Sequence, residues 1–472
     1  MAQTFREQGG AATMDPSPLR RWITSRLLNR LLDPEREQKL AAEAERERQA
    51  SGARHTVEYF HQIDDPYSLL AAQCIAPLLA HYDIDVRWHL VPGASGANAP
   101  EPELLAALAR VDAAAVAPFY ELQCPPLVAP EQALVQRAQR VFAATPERLR
   151  VEAAEALSSA VLTGSAVLLD ELARRHGEAS AEDAEALLRA GAARLKKLHH
   201  YAGAMFYYGG LWYWGVDRLY HLEQRLHALN ARTRLVAGCL YPRPQIRIGP
   251  HKDKGTCTLE FYASLRSPYT AAIFDMVVRW AESVGVRLDL RPVLPMVMRG
   301  VAATRDKGFY IFSDAAREAR ALGEPLGPFY DPIGAPVRRC YSLLPIADAA
   351  GKRVELMSSF LRAAFVEGRN TGRKRVLRKV VERAGMSWRE ASAQLGKPGW
   401  EQELEANRQA MYAFNCWGVP GFRLLDEDGS TLAAAWGQDR LWYIAAVLQR
   451  TLAQRNQPAA ADSLPPSYPH SR

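Results

Sequence analysis

The sequence predicts an α/β chain of two tandem domains built to one plan, and three observations predict it. Val57-Glu58-Tyr59-Phe60, followed by Asp64-Asp65-Pro66-Tyr67-Ser68, returns 202 positions later as Leu259-Glu260-Phe261-Tyr262, followed by Arg266-Ser267-Pro268-Tyr269-Thr270. The same spacing carries Asp112-Ala113-Ala114 onto Asp314-Ala315-Ala316. A second echo closes each half, Trp214-Gly215-Val216-Asp217-Arg218-Leu219 and then Trp436-Gly437-Gln438-Asp439-Arg440-Leu441. Repeats this far apart indicate duplicated domains rather than a solenoid. A chain of 472 residues has room for two cores.

The elements follow in order. Alternating runs at 56–60 and 258–262 read as strands. Each leads through a Pro-Tyr turn into an apolar helix, 67–79 or 269–284, since proline is tolerated in a first helical turn. Second strands are predicted at 86–91 and 287–293, then long helical stretches at 112–198 and 313–414. Hairpins close the halves: 206–208 and 211–214 around Gly209-Gly210, then 422–425 and 431–436 around 426–429, each followed by a last helix. Strand–helix–strand, helical insertion, hairpin–helix is a thioredoxin-like layout. The predicted boundaries are an N-terminal helical extension at 1–54, domains at 55–230 and 256–453, a linker at 231–255, and a disordered Pro-, Ser- and Ala-rich tail at 454–472. Within the extension, Arg20, Arg21, Arg26 and Arg30 interleave with Trp22, Leu27, Leu28, Leu31 and Leu32. A basic amphipathic helix over 18–32 suits an anionic membrane, a partner, or packing against its own domain.

Bulk properties narrow the function. A net charge of +7 permits anionic ligands without calling for nucleic acid. The six cysteines form no Cys-x-x-Cys pair and no metal-ligand spacing, which suits a reducing compartment. His199-His200 and His251 lack companions, so no metal is assigned. With no signal-peptide core and no membrane-spanning run, a cytoplasmic location is expected.

Three places could carry chemistry. Ser267 sits between a strand end and a helix start, where free N–H groups and the helix dipole favour negative charge. Its hydroxyl suits either plain N-capping or hydrogen bonding to a thiolate whose pKa it would lower. The run Trp417-Gly418-Val419-Pro420-Gly421-Phe422 offers a candidate cis Val419–Pro420 bond, with Val419 backbone groups turned to a peptide ligand. Gln438 and Asp439 open the last helix, suiting a carboxylate and an ammonium respectively. A small peptide with a thiol and an amino-acid-like end, such as glutathione, would use all three.

The second half resembles the kappa-class glutathione transferases and 2-hydroxychromene-2-carboxylate isomerases of the DsbA-like thioredoxin superfamily. Phe261-Tyr262 through Ser267-Pro268-Tyr269, Arg291-Pro292-Val293-Leu294, Lys307-Gly308-Phe309-Tyr310, Val366-Glu367-Gly368-Arg369, Gly418-Val419-Pro420 and Trp436-Gly437-Gln438-Asp439-Arg440-Leu441 carry the resemblance. It implies that Ser267 activates glutathione, that Val419 pairs with the cysteinyl backbone, and that Gln438 and Asp439 hold the γ-glutamyl end. It also implies that Lys307 lines the site. One departure stands out: the segment from Arg299 to Lys307 is short and lacks the asparagine that touches glutathione in the family. Arg299, Arg305 and Lys307 cluster there, either as solvated loop charges or as an attraction for an aromatic carboxylate.

At the corresponding places the first half has Asp65 for Ser267, Leu105 for Lys307 and Ala204 for Pro420. Only Asp217 persists, and helix capping would explain it. The aromatic hairpin Tyr207, Tyr208, Trp212, Tyr213 and Trp214 suits stacking on bases or rings, but alternating aromatics along a hairpin read more simply as core. The expectation is therefore a glutathione-dependent isomerase or transferase acting on an unsaturated, aromatic small-molecule electrophile, with the first half as a structural copy standing in for a second subunit. A non-catalytic binding or scaffold protein is the alternative. A disulfide oxidoreductase is disfavoured, because neither turn carries a cysteine.

Overall fold

The structure, a computed structural model, describes residues 13–233, 238–301 and 303–456. Two helices precede the first sheet, α1 (Pro18–Leu32) and α2 (Pro34–Ser51). In the first half, β1 (His55–His61) lies parallel to β2 (Ile84–Leu90) and antiparallel to β3 (Met205–Tyr208), which turns into β4 (Leu211–Trp214). Gly209 and Gly210 both take positive φ, 51° and 85°, as a two-residue hairpin with the twist of its strands requires. Between β1 and β2 runs α3 (Pro66–His81), opened by Pro66 and capped by Asp65. The insertion is α4 (Pro102–Val116), α5 (Gln132–Ala144), α6 (Arg150–Leu162), α7 (Ala166–His176) and α8 (Ala181–Lys197), and α9 (Leu219–Ala228) closes the half.

The second half repeats this order. Its sheet, β6-β5-β7-β8, has the strand order of the first, β2-β1-β3-β4. It comprises β5 (Thr258–Ala263), β6 (Arg287–Pro292), β7 (Gly421–Leu425) and β8 (Thr431–Trp436). After β5 comes α10 (Pro268–Val284), capped by Ser267. The insertion holds α11 (Arg305–Leu322), α12 (Ala335–Tyr341), α13 (Leu344–Ala349), α14 (Arg353–Phe365), α15 (Lys374–Arg383), α16 (Trp388–Gln394) and α17 (Trp400–Tyr412), and α18 (Leu441–Asn456) ends the described chain. Each sheet has its own buried core, built on Tyr59 and Phe206 in one half and on Phe261 and Phe422 in the other.

The repeated residues tie the halves to each other. Arg218 donates to Asp314 at 2.9 and 3.0 Å and to Asp439 at 2.7 Å. Reciprocally, Arg440 donates to Asp112 at 2.8 Å and to Asp217 at 2.8 and 3.0 Å. Tyr67 and Tyr269 each donate to the aspartate of their own half, Asp112 and Asp314, at 2.8 Å. Such exchange, in which residue i meets j and the copy of j meets the copy of i, is the pattern of a two-fold interface. Here it lies within one chain. Asp217 is thus an ion-pair partner of Arg440 rather than a helix cap, which corrects the sequence reading.

Two other expectations change. Helix α1 packs on the second half, not on its own domain: Arg21 donates to the carbonyls of Asp331 and Ile333, and Asn29 exchanges hydrogen bonds with the Phe329 backbone at 2.7 and 2.8 Å. Leu28 and Leu32 join the second core, so apolar burial drives this docking. The chain is helical to Asn456, past the predicted start of the tail at 454; residues 457–472 of that tail lie outside the described residues. So do residues 234–237 of the predicted linker.

Candidate functional site

The site is assembled from the N-terminus of α10, the turn before β7 and the first turn of α11. Ser267 takes an extended conformation (φ −88°, ψ 121°) and its Oγ accepts the Thr270 N–H at 3.1 Å. The preceding Arg266 is held by Asp331 in a two-point ion pair at 2.9 and 3.0 Å, which fixes the approach to the turn. Ser267 Oγ also donates to the Val419 carbonyl at 3.3 Å. Two residues 152 positions apart are thereby in direct contact. The Val419–Pro420 bond is cis. Val419 N–H meets no acceptor among the described residues, and Val419 itself is half-buried. Gly418 permits this turn to lie flat, since a Cβ there would stand 2.5 Å from the Trp436 ring.

Lys307 is buried at the start of α11, and burial pushes its ammonium down to about 8. Its Nζ donates to the Asn98 carbonyl at 2.9 Å and lies 5.1 Å from the Trp417 ring and 5.8 Å from the Tyr201 ring. Asn98 and Tyr201 belong to the first half, so this wall of the site comes from the other domain. Two further bonds dock the same first-half loop: Thr304 Oγ1 donates to Asn98 Oδ1, and Tyr412 donates to Glu101 at 3.2 Å. Sequence reasoning missed these contacts. Asn98 sits in a Gly-, Ala- and Pro-rich loop with no chemical signature, and it meets the lysine through its backbone.

Two buried donors stand without partners, Trp417 Nε1 and Gln438 Nε2. A buried polar group left unpaired is costly, so such groups invite a ligand's acceptors. The neighbouring Asp439 differs from expectation. Its Oδ2 is committed to Arg218 at 2.7 Å, and its other oxygen lies 3.5 Å from Arg440. The carboxylate is a member of the interface between the halves, not a free partner for an ammonium.

The arginines divide. Arg299 is corrected as a substrate residue: its guanidinium is buried and donates to the Leu294 carbonyl at 2.9 Å, the Trp417 carbonyl at 3.0 Å and the Tyr412 hydroxyl at 3.3 Å. It is a brace that holds the turn before Val419. Arg305 is exposed at the first position of α11, with its guanidinium 4.8 Å from the Phe309 ring. Ser267 and Val419 are thus in direct contact, Lys307 lies beside the Trp417 ring that precedes Val419, and Arg299 and Asp439 serve the scaffold.

Residues 258–449 match the DSBA-like thioredoxin domain, and this part of the chain is such a domain. The comparison with curated proteins gave no match. Among solved structures, a 2-hydroxychromene-2-carboxylate isomerase is similar at 20% identity, with 42% of this chain and 97% of that chain covered and a TM-score of 0.36. The cytosolic disulfide reductase DsbM of Pseudomonas aeruginosa is similar at 21% identity, 42% and 99% coverage and a TM-score of 0.33. Its structure with GSH is similar at 19% identity, 42% and 98% coverage and a TM-score of 0.32.

Proposed function

We propose that the second half is a glutathione-dependent isomerase or transferase acting on an unsaturated, aromatic electrophile. The contact between Ser267 Oγ and the Val419 carbonyl carries this reading, because it joins a hydroxyl at a helix N-terminus to the backbone of a peptide-docking turn. The unpaired donors Trp417 Nε1 and Gln438 Nε2, with the free Val419 N–H, suit a ligand rich in carboxylate and carbonyl oxygens. Glutathione, when bound, supplies a thiol that attacks an electrophilic carbon and, in an isomerisation, leaves again after bond rotation.

This chain's residues would prepare that thiol. Ser267 turns its O–H from the Val419 carbonyl toward the sulfur, and the positive end of α10 adds to the effect, so the thiol loses its proton more readily. Val419 holds the ligand backbone through its N–H. Lys307 offers a cation whose charge is strengthened by an anionic ligand. Arg299 holds the turn while this happens.

The cysteines favour this reading over disulfide exchange. All six are free thiols, and burial pushes each above its ordinary range. Cys416, next to the docking turn, donates to the Gly418 carbonyl at 3.2 Å and is pushed up to about 12. Exchange requires an attacking thiolate, and burial disfavours that form at all six.

The test is the ultraviolet absorbance of thiolate on mixing the protein with glutathione, for wild type and Ser267→Ala. Loss of one charge-assisted hydrogen bond should raise the bound thiol's pKa by about 1–2 units while S-methylglutathione still binds. Equal ionisation in the variant, or no glutathione binding by wild type, would leave the scaffold reading.

A further inference from the structure

Helix α1 has two dressed faces. Arg21, Ser25, Leu28 and Leu32 are buried against the second half. The opposite face presents Leu19, Trp22, Ile23 and Leu27 at 66%, 47%, 45% and 42% exposure. Among the described residues nine large hydrophobic side chains are exposed, and these four share one face of one helix; the others are spread over separate segments. Positions 19, 22, 23, 26, 27 and 30 fall together at helical spacing, so Arg26 and Arg30 lie among the apolar side chains and Arg20 lies at their edge. All three arginines are exposed, and none has a carboxylate partner among the described residues. Arg26 lies 5.0 Å from the Trp22 ring. No Asp or Glu occurs within Pro18–Leu32.

We propose that this face docks the chain on an anionic phospholipid surface, with α1 lying in the plane of the interface. Cations alone would suit any polyanion. The four apolar side chains set between them suit a surface with a hydrocarbon interior below its charged groups, where arginine stems extend upward and tryptophan rests at the boundary. At 15 residues the helix is too short to cross a bilayer, and its inner face is already committed to protein. Because that inner face holds the helix rigidly on the second half, docking would present the folded body to the membrane without unfolding any element.

Flotation of the full chain with vesicles tests this. Binding is expected to phosphatidylcholine vesicles containing phosphatidylserine and not to phosphatidylcholine alone. It should weaken at least about tenfold in the triple variant R20E/R26E/R30E, and also on raising the salt concentration. Because the three side chains are exposed and make no hydrogen bond or ion pair to the second half among the described residues, the variant should keep the wild-type circular dichroism and melting temperature. The separate variant W22S/L27S should lose vesicle binding without any change of charge. No vesicle binding by wild type, equal binding to neutral vesicles, or capture of an acidic protein by this face without vesicle binding would overturn the proposal.

Discussion

At the first turn of α3, Asp65 accepts the Ser68 N–H at 2.8 Å; at the first turn of α10, Ser267 accepts the Thr270 N–H at 3.1 Å. The backbone angles are close, −105° and 121° against −88° and 121°. The capping role is therefore constant, and what varies is the proton. A serine hydroxyl accepts from the helix and still donates, whereas an ionised carboxylate has nothing to donate. The turns before the hairpins tell the same story: the Ala204 and Pro420 carbonyls accept from Gly215 and Gly437 at 2.7 and 2.9 Å, yet Ala204 takes φ +54° where Pro420 follows a cis bond. Residues shared by the halves bind the halves to each other. Residues that differ, Ser267 against Asp65 and Pro420 against Ala204, stand at the two turns of the candidate site.

The strongest way to break this comparison is to cut the shared network. Arg440→Ala leaves Asp112 and Asp217 without their paired cation, whereas after Arg218→Ala the carboxylate of Asp314 keeps Arg317, Glu318 keeps Arg243, and Asp439 keeps Arg440 at 3.5 Å. Arg440→Ala should cost about 3–5 kcal/mol in urea unfolding, because an uncompensated buried charge is the dominant loss. Arg218→Ala should cost less but remain clearly destabilising, since Arg317 and Arg243 still stand beside the carboxylates it leaves. A large loss from one and none from the other would mean that the interface is not an exchange of equivalent residues.

Lys307→Leu sharpens the comparison by giving the second half the residue that Leu105 provides in the first. It should weaken S-methylglutathione binding by about tenfold, the worth of one charge-assisted contact. Wild-type affinity for the same ligand should fall as pH rises through about 8, where buried Lys307 loses its proton. In the unliganded chain the sign is opposite. The folded ammonium is depressed from 10.5 to about 8, so the unfolded chain holds the extra proton between those values and stability rises with pH across them. Titration calorimetry below and above pH of about 8, beside urea unfolding at the same two values, separates the two effects. A flat affinity profile would remove Lys307 from the site.

The smallest expected effect is at Asp65. Desolvation raises its carboxyl to about 6 from 3.8, so the fold retains a proton that the unfolded chain releases, and stability falls as pH rises across that window. Asparagine keeps the cap and removes the half-buried charge. Asp65→Asn should therefore be more stable by about 1 kcal/mol near neutrality, with the gain gone below pH of about 4. A thermal melt series over pH checks it.

Much of the fold was legible because strand alternation, the Pro-Tyr turns and the hairpin glycines are local signals. The strands at 56–60 and 258–262 lie within β1 and β5, and the 202-residue repeat pointed to the equivalence of the two sheets. Ser267 and Val419 were legible for the same reason, since a cap and a Val-Pro turn announce themselves locally. The roles of Asp217, Arg218, Asp439 and Arg440 were not. Their partners lie 96 to 328 positions away, across an interface that only the folded chain creates. Arg299 misled because a basic residue near other basic residues reads as a ligand site, whereas its partners are two carbonyl oxygens and the hydroxyl of the distant Tyr412, none with a sequence signature.

The central claim is one glutathione site per chain, in the second half. Calorimetric titration of the full chain with S-methylglutathione tests it most directly, with Lys307→Leu and Asp65→Asn titrated beside wild type. The account predicts a single site, weakened by Lys307→Leu and unchanged by Asp65→Asn. Two equivalent sites, or one site that responds only to the change at Asp65, would contradict it.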